Sequence, residues 1–112
     1  MEYDFLYAFK NETTLIVEIK VKGLPENTPR DLKYHWLLVN EDKCEKLTFQ
    51  SMQKEPTQVR VFAEGVLQFN SNEAIYSNEY NKESFEAIQS SEIDLETLQL
   101  IESKLIQLIA NK

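Results

Sequence analysis

The sequence predicts an α+β fold: an antiparallel sheet of five or six strands packed against a C-terminal α-helix. Two patterns carry that prediction. Apolar and polar residues alternate through much of residues 3–69, the two-residue period of half-buried strands. From Leu95 to Ile109 the period becomes that of a helix. The order of the patterns decides between α+β and α/β, because the strand patterns precede the helix instead of alternating with it. The 112 residues make one domain, 1–112, with room for one modest core. Only two glycines and three prolines interrupt it, so most of the chain is expected in strand or helix.

The first strand spans residues 3–9. Tyr3, Phe5, Tyr7 and Phe9 fall on one side, Asp4, Leu6 and Ala8 on the other, and the aromatic residues suit a pleated surface. Lys10-Asn11-Glu12 reads as a turn. Thr13–Lys22 repeats the alternation, with Leu15, Val17, Ile19 and Val21 together and Ile16, Glu18, Lys20 and Lys22 opposite. These two segments make a hairpin. Residues 23–30 contain Pro25 and Pro29 and read as the longest loop, since each proline holds its predecessor extended. Leu32–Val39 is a third strand, with Leu32, Tyr34, Trp36 and Leu38 on one face and Lys33, His35, Leu37 and Val39 on the other.

Asn40–Lys43 turns the chain into a weaker strand, Glu45–Gln53, with Leu47, Phe49 and Ser51 aligned. Glu55-Pro56 is a break. Thr57–Phe69 holds one or two strands, with Glu64-Gly65 as a turn or bulge. The stretch SNEAIYSNEYN, residues 71–81, reads in two ways. Asn70 and Glu73 have the spacing of a helix cap, which would put Tyr76 and Tyr80 on one face. Ser77-Asn78 and Asn81 favour an irregular connection instead. Lys82–Ile88 reads as a further short helix with Phe85 and Ile88 inward. Ser91 and Asp94 resemble a capping box, and Glu92, Asp94 and Glu96 suit the positive end of a helix. The final helix carries the stripe Leu95, Leu98, Ile101, Leu105, Leu108 and Ile109.

Charge and motif content narrow the function. Nineteen acidic residues against 12 basic ones give a formal charge of −7, the wrong sign for non-specific binding to nucleic acid or an anionic membrane. A basic protein partner would be drawn to it. No run of apolar residues is long enough to span a bilayer, and MEYDFLYAFK carries acids where a signal peptide carries bases. With Cys44 the one cysteine, no internal disulfide forms, and a cytoplasmic setting is expected.

Reactive constellations are weak. His35 could act as a base beside Asp31 or Cys44, yet its place among alternating leucines is that of an ordinary strand residue. Acids at Glu41, Asp42 and Glu45 oppose a Cys44 thiolate. Those same acids lack the spacing and glycine of a calcium loop. Neither Gly23 nor Gly65 opens a phosphate loop. Arg30, Lys33, Lys43, Lys46 and Lys54 are matched locally by Glu26, Asp31, Glu41, Asp42 and Glu45, which leaves no basic groove for a nucleic-acid strand.

No catalytic, cofactor-binding or metal-binding residue is therefore predicted. The reading is a small acidic non-catalytic protein-binding module: an inhibitor, immunity protein, secretion chaperone or assembly factor. Its expected partner surface is Glu73, Tyr76, Glu79 and Tyr80, where rings give contact area and carboxylates meet a basic partner. One alternative is a small hydrolase or nuclease using His35 with nearby carboxylates. Another is a structural protein that self-assembles through an uncovered sheet edge or face.

Overall fold

A computed structural model describes residues 1–50 and 58–110. The strands are β1 (Tyr3–Lys10), β2 (Thr14–Val21), β3 (Tyr34–Asn40), β4 (Lys43–Leu47), β5 (Val59–Val61), β6 (Val66–Phe69), β7 (Glu73–Ser77) and β8 (Lys82–Ala87). One helical turn, α1 (Arg30–Lys33), precedes β3, and the long helix α2 (Leu95–Ala110) follows β8. Among the described residues, these eight strands join one antiparallel sheet in the order β4-β3-β2-β1-β8-β7-β6-β5.

This corrects the expected five or six strands. Residues 57–69 supply two strands, and the segments read as helical or irregular, 70–81 and 82–88, supply β7 and β8. The physical reason lies in the side chains. Ala74 and Tyr76 alternate with Glu73 and Ile75, and a paired strand buries that two-residue pattern better than a helix does. The expected place of Ser51 in the fourth strand and the break at Glu55-Pro56 lie outside the described residues.

The sheet curls into a half-barrel. Its edges approach through the Phe49–Phe62 bridge, where Gln50 N donates to Val61 O at 3.1 Å and Ala63 N to Thr48 O at 2.8 Å. The curl gives the sheet two buried faces, and two cores replace the single expected one. On the outer face, Leu15, Val17, Ile19, Leu37 and Val39 pack with Ile101 and Leu105 of α2. Inside the curl lie Phe9, Ile16, Trp36, Leu47, Phe62, Leu67, Phe69, Tyr76 and Phe85. β2 is covered on both faces, which explains its nearly unbroken burial.

A register shift at Leu6 divides β1. The expected row Tyr3, Phe5, Tyr7 and Phe9 is split by it. Tyr3 and Phe5 pack on the helix side, whereas Phe9 enters the interior and Tyr7 stacks on Trp36 with ring centroids 6.0 Å apart. One extra residue reverses which face every later side chain meets. Gly65 fits the interior for a related reason: a Cβ there would lie 2.7 Å from the Tyr76 ring and from Ser77 O.

The start of α2 also differs from expectation. Asp94, not Ser91, caps it, since Asp94 Oδ1 accepts from Thr97 N at 2.8 Å. The reciprocal box sits one turn earlier, at Gln89 and Glu92, around a 3₁₀ turn at Ser90–Glu92.

Candidate functional site

The β7–β8 hairpin holds the predicted partner residues and divides them. Tyr76 points into the curl and is 5% exposed, while Tyr80 stands at the hairpin tip and is 88% exposed. Glu73 and Glu79 are exposed. Tyr76 and Tyr80 thus share no surface, because a strand and a turn replace the helix that would have aligned them. Asparagines set the turns. Asn70 Oδ1 accepts from Asn72 N and Glu73 N, and Asn78 Oδ1 accepts from Tyr80 N and Asn81 N, all at 2.8–2.9 Å. Asn11 does the same with Thr13 N and Thr14 N in the β1–β2 hairpin. The two Ser-Asn-Glu triplets do not occupy equivalent places: Asn72 is the third residue of its turn and Asn78 the first.

His35 lies on the helix side of β3 and is fully buried. Its Nε2 lies 2.9 Å from Leu32 O, and Lys46 Nζ lies 3.2 Å from Nδ1 and 2.9 Å from Asp31 O. These contacts fit one tautomer, with Nε2–H donating to Leu32 and Nδ1 accepting from the ammonium. Burial pushes the His35 pKa down and the Lys46 charge adds to that, against the Leu32 hydrogen bond and Asp31. Asp31 therefore reaches His35 as a distant charge, through a lysine held by its backbone carbonyl. Cys44 is half-buried, and burial pushes its thiol up to about 11. Among the described residues, no group of three or more His, Cys, Asp or Glu side chains could hold a metal ion.

The sequence reading missed Glu18. It faces the interior between Tyr7 and Trp36 in the strand register and is 6% exposed. Tyr7 and Trp36 stack over this row, and Phe69 meets Tyr7 at 4.8 Å. Burial raises the Glu18 pKa; Arg60, then Arg30, then the Trp36 indole pull it back. The indole Nε1 itself is buried and makes no hydrogen bond of full geometry. The alternation of β2 put Glu18 opposite the helix face, but nothing in the sequence showed that this opposite face is also closed.

The remaining feature is a surface left uncovered. β8 pairs with β1 only at Phe9 and Lys10, and Ile88 N then donates to Ala8 O before the chain turns toward α2. At Tyr3–Phe5 the edge of β1 away from β2 has no strand beside it among the described residues. Glu102 of α2 reaches this edge, and helical spacing of three or four residues puts Leu95, Leu98, Ile106 and Ile109 on the same side of α2 as Glu102, a ridge along the helix. The Tyr3 hydroxyl donates to Glu102 Oε1 at 2.8 Å and ties ridge to edge. Burial, with that hydrogen bond and the Glu102 charge, pushes the Tyr3 pKa up to about 12. Leu95 is 69% and Ile106 56% exposed, so α2 leaves apolar area uncovered on this side.

No described helix is long and apolar enough to cross a membrane. Compared with known proteins, the chain matches no protein-family model, no curated protein and no solved structure.

Proposed function

We propose that the chain is a non-catalytic protein-binding module of the inhibitor, immunity-protein, secretion-chaperone or assembly-factor kind. The observation that carries this reading is the open β1 edge beside the exposed apolar ridge of α2. The His35 contacts support it over a hydrolase, because both ring nitrogens are engaged inside the fold. A net charge of −7 favours a partner with a basic surface. The single cysteine supports a reduced, cytoplasmic setting.

The hairpin tip offers a second surface. Tyr80 is almost fully exposed, with Glu79 beside it and Glu73 at the other end of β7. The tip lies beyond the Lys10 end of β1, as the Asn11 Nδ2 bond to Ser84 O indicates, and thus away from the open edge.

The test is capture from the native cell followed by direct affinity measurement on the purified partner. Ile106→Glu is expected to weaken that affinity about tenfold or more by placing a charge in the apolar contact. A captured protein that binds the wild type and Ile106→Glu equally would remove the ridge from the interface. Failure to recover any partner with direct affinity would count against the module reading itself.

A further inference from the structure

We propose that the open edge of β1 receives an extended segment of the partner protein as an added strand, with apolar residues toward α2 and lysine or arginine on the opposite side. This rests on the protein-binding reading and adds the mode of recognition and the chemistry of the segment.

The backbone pattern identifies the free groups. Lys22 N donates to Glu2 O at 2.9 Å, so Glu2 and, two residues on, Asp4 turn their backbone groups toward β2. Tyr3 and Phe5 turn theirs the other way. There β8 has already ended, and its continuation would fill the slot. Two N–H and two C=O groups are thus aimed at the place of a missing strand, the arrangement that binds extended peptides in strand addition.

The side chains define what fits. A strand in the slot would present alternate residues to its two faces. On the helix side it meets Tyr3 and Phe5, which pack in one cluster with Leu98 and Ile109 of α2, and the exposed Ile106 follows Glu102 by one helical turn on that side, which calls for apolar side chains. On the other side its nearest neighbours are Glu2 and Asp4, both exposed, while Lys20 and Lys22 lie one strand further in on β2, Lys22 bound to Asp4 at 3.0 Å. Basic side chains on the added strand would meet the two carboxylates directly across the new pairing. A second copy of the chain fits less well, because pairing β1 with β1 would bring Glu2 and Asp4 of both copies together, and like charges across strands are destabilising.

Amide hydrogen exchange read by NMR tests the inference, with two additions to the full chain. One is a synthetic peptide of alternating valine and lysine, with a valine–glutamate peptide as control. The other is the partner recovered by capture. The Tyr3 and Phe5 amides are expected to exchange at least about tenfold more slowly with the valine–lysine peptide and with the partner, and to be unaffected by the control. Ile106→Glu, a change at an exposed position, should abolish the effect while leaving the exchange of the β2 amides unchanged. A bound partner that leaves Tyr3 and Phe5 unprotected overturns strand addition but keeps the binding module. A valine–lysine peptide without effect on these amides overturns the proposed segment chemistry. Protection that grows with the concentration of the chain alone assigns the edge to a second copy and overturns the proposal.

Discussion

Glu18 and His35 show how burial sets the behaviour of single residues. The Glu18 carboxyl has a folded pKa above the ordinary value of 4.5. Between those two values the folded chain binds more protons than the unfolded one, so stability falls as pH rises through the folded pKa. The charged form is a net cost at neutral pH. Glu18→Gln is expected to raise the urea midpoint at neutral pH and to change it little below the ordinary carboxyl value; an unchanged or lower midpoint at neutral pH contradicts this. His35 has the opposite sign. Its folded pKa lies below 6.5, so its contribution is intact above that value and is lost as pH falls through the folded pKa. His35→Gln should cost about 1–3 kcal/mol, because buried partners at Leu32 and Lys46 lose their fit. Partner affinity should stay the same. A large fall in a measured turnover, with the fold intact, would instead promote the hydrolase reading.

At the scale of elements, α2 has two sides with different work. Ile101 and Leu105 are fully buried against the sheet, while Ile106, one residue on, is exposed. Leu105→Ala is expected to cost roughly 2–5 kcal/mol in chemical denaturation, with the spread set by how far the cavity relaxes. Ile106→Ala should change stability by less than about 0.5 kcal/mol, as surface substitutions usually do. Equal effects at the two positions would contradict a buried Leu105 side and an exposed Ile106 side of the helix. The same contrast holds in β7, where Tyr76 fills the interior and Glu73 meets solvent. In both elements, period and phase decide which residues are available to a partner.

The whole molecule is a thin assembly with two cores separated by a sheet. Its halves join at the short β1–β8 pairing and again where Phe49 meets Phe62. Acidic groups lie at both candidate surfaces, with Glu2 and Asp4 at the open edge and Glu73 and Glu79 on the hairpin. Charge steering of a basic partner acts on association more than on dissociation and is screened by salt. If the hairpin takes part, the variant carrying Glu73→Gln and Glu79→Gln should associate more slowly than wild type at low salt and approach it at high salt. Association rates measured across ionic strength decide the matter. Unchanged rates and salt dependence would remove these two acids from the interface and leave the β1 edge as the contact.

Features that depend on local period and on residue type can be read directly from the chain. The C-terminal helix was legible because six apolar residues recur at helical spacing without a glycine or proline between them. The β1–β2 hairpin was legible because its alternation is long and Asn11 stands at the turn. The weak chemistry of His35 could be read from its neighbours, but its contacts with Leu32 and Lys46 required the fold. Tertiary structure alone decided the rest. One bulge at Leu6 inverted the faces of β1, which no pattern of alternation announces. Pairing between segments made β7 and β8 strands, since a short polar sequence with asparagine turns takes the structure its neighbours stabilise. Closure of the sheet buried Glu18 and Tyr76. The open edge at Tyr3 and Phe5 exists only because β8 ends early, and backbone groups become available or satisfied according to which strand lies beside them.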